Sequence, residues 1–188
     1  MNYRHSFHAG NFADLVKHAL VLWLLERRQG SGPVTVIDTH AGAGLYDLTG
    51  DAARSREAEA GIARLMASEG RPPLIEALAA EVAAMNPNGG VTFYPGSPLL
   101  MAHHLGPQDR YLGFELHPPV LDLLEQALKP FAQAEARGGN GFDQAVAEAK
   151  RTPGPLVLID PPFEKPDDYH RAADTGAAIV KADARATV

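Results

Sequence analysis

The apolar positions of the chain change between helical and strand spacing. Residues 12–28 carry apolar side chains at helical intervals and end in two arginines, before the sequence QGSGP breaks the pattern. Three short apolar runs, at 33–38, 110–116 and 155–160, are predicted strands, and the β-branched run 33–38 is typical of a strand buried on both faces of a parallel sheet. The pattern therefore predicts a first helix followed by strands that alternate with helices.

The segments between these strands complete the predicted fold. Helices are predicted at about 98–104 and 119–133, and strands that alternate with helices indicate a doubly wound α/β sheet. Residues 50–90 are rich in Ala and Glu and end in NPNGG, which favours a small helical insertion. No repeat or linker divides the chain, so a single domain over 1–188 is expected.

Composition limits the classes of protein that remain. No apolar run is long enough for a bilayer span and the first residues are polar, so we expect a cytoplasmic protein without a membrane partner. The absence of cysteine excludes disulfides and thiolate metal sites. A net charge of −6 is unlike that of most nucleic-acid binders. The first 30 residues have an excess of basic side chains, so a phosphate-facing surface is expected there.

A glycine turn and an acidic residue indicate a site for a nucleoside cofactor. Ligands of doubly wound sheets bind beyond the carboxyl ends of the strands, where glycine lets the backbone approach closely. Gly42 and Gly44 lie in that position, although tight turns also need glycine for conformational reasons alone. Glu115 ends the second strand, where its carboxylate can accept hydrogen bonds from both ribose hydroxyls. An ordinary surface acid is the alternative for Glu115.

The sequence Asp160-Pro161-Pro162-Phe163 follows the third strand, and its prolines stiffen the loop. The amino nitrogen of adenine is a poor nucleophile because its lone pair is delocalised into the ring. Asp160 and a backbone carbonyl at Pro161 can accept both amino hydrogens and orient the nitrogen, while Phe163 can stack on an extruded base. The motif favours methyl transfer from S-adenosylmethionine (SAM) to an adenine amino group. A simple strand-ending turn is the alternative.

Six segments together resemble the RlmJ-type 23S ribosomal RNA adenine-N6 methyltransferases. They are YRHSFHAGNFADLVKH (3–18), DTHAGAGLY (38–46), YPGSP (94–98), ELHP (115–118), NGF (140–142) and DPPF (160–163). The resemblance implies a Rossmann-like class I methyltransferase sheet with a helical insertion. It also implies SAM as cofactor and, as substrate, 23S ribosomal RNA free of ribosomal proteins. A monomer is expected.

The resemblance also implies which residues act. The residues that fall where the family contacts SAM are His18, His40, Ser97, Glu115, Asn140 and Gly141. Gly42, Gly44 and Asp160 belong to the same predicted cofactor-binding set. Asp160 falls on the catalytic acceptor. Tyr3, in a substrate-contacting segment 1–18, matches a tyrosine implicated in binding the RNA.

Three departures from the family accompany this resemblance. Asn140 stands where the family commonly has an acidic residue that contacts the cofactor adenine, and weaker binding is expected. Phe163 replaces a tyrosine but keeps the aromatic face. The family's chains continue further, so the C-terminal strands of the sheet are expected to be missing.

Two alternatives remain open at this point, and two others are disfavoured. A DNA adenine-N6 methyltransferase would use the same local chemistry. A truncated chain could bind SAM or nucleic acid without turnover. An NAD-linked oxidoreductase would leave the 160–163 motif without a role. The histidines are too scattered for a metal site, so none is expected.

Overall fold

The computed structural model describes residues 7–50 and 52–188, so Tyr3 lies outside the described residues. The helices are α1 (Phe12–Gln29), α2 (Ala52–Ser55), α3 (Arg64–Met66), α4 (Pro73–Met85), α5 (Ser97–His104), α6 (Pro118–Leu128), α7 (Gly141–Ala149) and α8 (Asp168–Ala182). A π-helical turn, Glu59–Ala63, precedes α3. The strands are β1 (Thr35–Asp38), β2 (Leu45–Asp47), β3 (Phe93–Pro95), β4 (Arg110–Glu115), β5 (Ala134–Gly138) and β6 (Leu156–Leu158). No helix in the described ranges is both long and apolar enough to cross a membrane.

Four parallel strands form the main sheet in the order β5-β4-β1-β6. The register sets Asp38 of β1 beside Gly113 of β4 and Leu158 of β6. Glu115 of β4 lies beside Gly138 of β5. Because the strands are parallel, the segments at their carboxyl ends meet at one edge of the sheet, and most of the predicted site residues in the described ranges lie there, His18 and Ser97 excepted.

Alternate strand residues enter two separate hydrophobic layers. Val36 and Leu156 pack with α1, α5 and α6 on one face of the sheet. Ile37 and Val157 pack with α7 and α8 on the other face. Successive side chains of a strand point to opposite faces, so strands apolar on both sides need helices on both sides. The predicted doubly wound α/β fold is confirmed.

A third hydrophobic cluster joins α1 to the segment between β2 and β3. Leu15 of α1 is buried against Ile62 of the π-helical turn and Leu78 of α4. The strands β2 and β3 are antiparallel, with Tyr46 opposite Tyr94, and both tyrosines belong to this cluster. The helical segment therefore packs on the first half of α1.

The structure differs from the predicted elements in three places. The helix predicted at 119–133 ends at Leu128, and the edge strand β5 follows from Ala134. The β5 sequence AEARG alternates Ala with charged residues, but Ala and Glu are poor strand formers. It forms a strand because it pairs with β4 along its whole length, so tertiary pairing outweighs local propensity. The helix α7 forms where only a turn was predicted, and the short pair β2 and β3 was not predicted.

Candidate functional site

The loop after β1 presents its backbone at the carboxyl edge of the sheet. Gly42 and Gly44 have φ angles of 67° and 78°, in the left-handed region that favours glycine. A Cβ on Gly42 would lie 2.3 Å from the hydroxyl oxygen of Tyr46. That hydroxyl accepts a hydrogen bond from the N–H of Ala43 at 3.2 Å. Both conformation and space therefore require glycine in this loop.

Glu115 connects the carboxyl ends of β4 and β1. Its Oε2 accepts a hydrogen bond from the N–H of Gly42 at 3.2 Å, and its Oε1 accepts one from the N–H of His117 at 2.8 Å. A carboxylate has about four lone-pair positions, so each oxygen keeps capacity for a further donor. The strand-end acid is thus fixed against the glycine loop and can still accept hydrogen bonds from a ligand.

A buried polar cluster lies at the start of this loop. Asp38 is fully buried, and its Oδ2 accepts hydrogen bonds from the hydroxyls of Ser97 at 2.8 Å and Tyr111 at 3.1 Å. Burial raises the pKa of Asp38 to about 6, although these two hydrogen bonds oppose the rise. Ser97, predicted to contact SAM, is itself buried. Sequence reasoning missed Tyr111, because nothing local marks its hydroxyl as a partner of Asp38.

The segment after β5 packs directly against the loop after β1. Asn140 caps α7, with its Oδ1 accepting the N–H of Phe142 at 3.2 Å. A Cβ on Gly141 would lie 1.8 Å from the carbonyl oxygen of Thr39, so only glycine fits. The ring of His40 meets the ring of Phe142 edge-on, with centroids 4.6 Å apart. Burial lowers the pKa of His40 to about 4, so its imidazole is neutral at pH 7.

Asp160, after β6, forms an ion pair with α1. The Lys17 ammonium donates hydrogen bonds to Oδ2 of Asp160 at 2.6 Å and to Oδ1 of Asp14 at 2.9 Å. Asp14 is buried and its Oδ2 accepts the N–H of Gly10 at 3.0 Å. Burial disfavours the ammonium, but the carboxylates of Asp14 and Asp160 outweigh it and raise the pKa of Lys17 above its usual value. A charged lysine therefore holds the Asp160 carboxylate in place.

Sequence reasoning missed this Lys17–Asp160 pair. The two residues are 143 positions apart and no local pattern links them. The basic excess of the first 30 residues was the only signal, and it pointed to phosphate rather than to a carboxylate of the same chain. The Asp160 charge also opposes the lowering of the His40 pKa, so Asp160 adjoins the segment that contains the glycine loop.

The aromatic residue of the 160–163 motif is partly open to solvent. Phe163 is 38% exposed, whereas Pro161 is buried. Phe163 has a φ of 53°, a left-handed conformation that costs a non-glycine residue about 1 kcal/mol or more. Its ring lies 4.6 Å from the ring of Tyr169, tilted by 34°. The loop therefore fixes an exposed aromatic ring close in sequence to Asp160.

His18 takes a different position from the other predicted residues. It is 1% exposed, and its Nδ1 is 2.7 Å from the hydroxyl of Tyr94, whose ring stacks on the imidazole. His18 thus belongs to the packing between α1 and β3, and its contact with a cofactor stays a prediction. Within residues 7–50 and 52–188, no three His, Asp or Glu side chains form a group that could hold a metal ion.

The arrangement at the sheet edge suits a nucleoside ligand. Glu115 keeps acceptor capacity beside a backbone loop kept open by glycine. Asn140 follows β5, the strand next to the β4 strand that carries Glu115, and it is half-buried. A strand-end acid in this position can accept hydrogen bonds from the ribose hydroxyls of a nucleoside.

Helices on both faces of a parallel sheet, with a glycine loop and a strand-end acid at its carboxyl edge, define a Rossmann-like α/β protein. Within this class, the chain belongs to the family described as Ribosomal RNA large subunit methyltransferase D, RlmJ, whose model matches residues 31–188. The family predicted from the six sequence segments is confirmed.

Two relatives and one solved structure support this assignment. The Ribosomal RNA large subunit methyltransferase J of Escherichia coli is 39% identical over 174 residues, which cover 90% of this chain and 61% of that protein. The protein of the same name from Haemophilus influenzae is 37% identical over 174 residues, covering 90% and 62%. A crystal structure of a Legionella pneumophila protein is 28% identical, with a TM-score of 0.78 over 93% of this chain and 65% of that one. The chain spans about three fifths of the length of the two named methyltransferases.

Proposed function

We propose that the chain carries a SAM-dependent methyltransferase site that modifies the exocyclic N6 of an adenine in 23S ribosomal RNA. The observation that carries the proposal is the Asp160 carboxylate, which Lys17 holds at the same sheet edge as Glu115 and Asn140. Membership of the RlmJ family and the names of the two relatives support the reaction and the kind of RNA.

The residues around the glycine loop are proposed to hold the cofactor. Glu115 would accept the ribose hydroxyls, Asn140 and Gly141 would border the base, and the backbone at Gly42 would allow close approach. Ser97, His40 and His18 complete the proposed set, and His40 would act as a neutral side chain because burial lowers its pKa. When bound, SAM supplies an electrophilic methyl group on its sulfonium.

Asp160 and the proline turn would prepare the target nitrogen. Within the described residues, Oδ2 of Asp160 accepts from Lys17 and Oδ1 has no donor, so Oδ1 is the oxygen proposed to accept one amino hydrogen. The carbonyl of Pro161 would accept the other, which favours a tetrahedral nitrogen with its lone pair directed at the methyl group. Asp160 would take the proton that the nitrogen releases after transfer.

The RNA is proposed to reach this site as an extruded base. Phe163 would stack on the adenine, because its ring is partly exposed and lies beside that of Tyr169. Segment 1–18, which contains Lys17, is proposed to contact the RNA as part of one domain with the rest of the chain. The proposed substrate is protein-free 23S ribosomal RNA.

The test is transfer of labelled methyl from SAM to unmodified, protein-free 23S ribosomal RNA, followed by digestion to nucleosides. Unmodified duplex DNA serves as a parallel substrate. The Asp160→Ala variant is the control, and SAM binding is measured for both proteins by calorimetry. We expect labelled N6-methyladenosine only with RNA and only with the unmutated chain, while SAM affinity stays within a few fold.

Other outcomes would overturn the proposal in distinct ways. Label in a different nucleoside would show that Asp160 does not orient an adenine amine. Label only in DNA would identify a DNA adenine methyltransferase. SAM binding without any transfer would identify a binding module. Equal loss of SAM binding and methyl transfer in Asp160→Ala would mean that Asp160 contacts the cofactor rather than the substrate amine.

A further inference from the structure

The amide of Asn140 has a defined orientation. Its Oδ1 caps α7 by accepting the N–H of Phe142 at 3.2 Å. An amide NH₂ group cannot accept that bond, so the capping contact fixes which side-chain atom is oxygen. The NH₂ group must lie on the other branch of the amide, and no acceptor for it occurs among residues 7–50 and 52–188. Asn140 is half-buried, so this donor is partly shielded from water.

Arg171 of α8 contacts the same oxygen from a distant part of the chain. Its Nη2 is 3.4 Å from Oδ1 of Asn140, at the long end of the hydrogen-bond range. The guanidinium lies 4.3 Å above the centroid of the Phe142 ring. Phe142 is buried and also contacts His40 edge-on, so the ring is a rigid support for the cation. Arg171 is thus held where its charge faces the oxygen branch of the amide.

The strand register places Asn140 next to the ribose acid. Gly138 pairs with Glu115, and the N–H of Gly139 donates to the carbonyl oxygen of Glu115 at 2.9 Å. A nucleoside whose sugar binds Glu115 would therefore extend its base toward the end of β5, where Asn140 lies. This step rests on the proposed function, because it takes the cofactor to be a nucleoside bound at this edge.

We infer that Arg171 is a positioning residue that fixes Asn140 as a hydrogen-bond donor to the purine ring of the cofactor. With its oxygen engaged by Phe142 and Arg171, Asn140 offers only N–H groups to the base. The purine edge must then present an acceptor, which is N1 in adenine and O6 in hypoxanthine. An aspartate at position 140 would instead offer a carboxylate oxygen, which accepts from the adenine amine and repels O6. The site therefore reads an acceptor on the purine edge, N1 or O6, rather than the exocyclic amine.

The test compares the affinities of S-adenosylhomocysteine and S-inosylhomocysteine by calorimetry. We expect the unmutated chain to bind the two within about threefold of each other, because both purines offer an acceptor. Asn140→Asp should prefer the adenine ligand by about tenfold or more, as expected when a hydrogen bond is replaced by facing acceptors. Arg171→Met should weaken both ligands by about fivefold, and Arg171→Lys, which keeps a cation and donors, should recover part of that loss.

Arg64→Met, which removes an arginine from α3 in the helical segment, is the matched control and should bind both ligands as the unmutated chain does. An unchanged ligand ratio in Asn140→Asp would overturn the donor role of Asn140. Unchanged affinities in Arg171→Met would overturn the positioning role of Arg171. If the folded, unmutated chain bound neither ligand, the proposed function itself would fail, and the inference with it, before any variant was compared.

Discussion

The buried carboxyl of Asp38 predicts a specific pH dependence of stability. Asp38 has no exposed surface, and burial raises its pKa from 3.8 to about 6. The folded state therefore binds the carboxyl proton of Asp38 more tightly than the unfolded state does. The contribution to stability is complete below pH 3.8 and is lost as the pH rises through about 6. At about 1.4 kcal/mol per pH unit, the loss amounts to about 3 kcal/mol.

The Asp38→Asn variant isolates this effect. The amide is nearly isosteric and keeps one oxygen to accept from Ser97 and Tyr111, but it cannot ionise. The variant loses the long hydrogen bond that the His40 N–H donates to Oδ1 of Asp38 at 3.3 Å. This loss should lower the free energy of unfolding by about 1 kcal/mol at every pH. Between pH 4 and 7, Asp38→Asn should therefore gain about 2 kcal/mol relative to the unmutated chain, which is most of the full effect.

The assay is urea denaturation at several pH values, followed by circular dichroism and by the fluorescence of the single tryptophan, Trp23. The quantity to compare is the difference in free energy of unfolding between the two proteins at each pH, because other groups titrate in the same range and affect both. His40 has its pKa lowered from 6.5 to about 4, so its contribution is lost as the pH falls through this window, opposite to Asp38. Parallel curves for the two proteins from pH 4 to 7 would refute the reasoning.

Three further predictions concern the site. Lys17→Met removes the cation from buried Asp14 and should lower the free energy of unfolding by about 1 to 3 kcal/mol in urea titrations; an unchanged value would mean that the ion pair gives no net stabilisation. Glu115→Ala should weaken SAM binding by about 1 to 3 kcal/mol in calorimetry, and unchanged affinity would make Glu115 a merely structural acid. Gly141→Ala forces a Cβ to within 1.8 Å of a carbonyl oxygen and should cost at least about 1 to 3 kcal/mol. Gly176→Ala, in the interior of α8 with only ordinary contacts, is its control and should not destabilise; it should raise stability by up to about 1 kcal/mol.

Local sequence patterns predicted the parts of the fold that depend on continuous apolar runs. The strands β1, β4 and β6 lie within such runs, and α1 follows its helical spacing from an Asn11 cap to two terminal arginines. β5 could not be predicted in this way, because it is an edge strand that becomes regular only through its partner β4. The loop glycines were predicted from strand-end chemistry, and the structure adds the reason that Tyr46 occupies the space of a side chain.

The polar contacts of the site were less accessible from sequence. Lys17 meets Asp160, and Arg171 meets Asn140, only because the fold brings separate segments to one edge. Neither pair has a spacing that periodicity or a motif would reveal. The roles of Asn140 and Gly141 came from family resemblance, while the contact of Gly141 with the Thr39 carbonyl is visible only in three dimensions.

The bond between Glu115 and Gly42 has a consequence for the energetics of recognition. Because this bond and the packing of Gly141 form as the sheet assembles, the conformational entropy of the loop is lost during folding. A ligand that arrives later meets a loop already in order, so little of its binding energy goes into arranging the protein. The affinity for the proposed cofactor is therefore coupled to the local order of this edge, and variants that loosen the loop should weaken binding even when they do not touch the ligand.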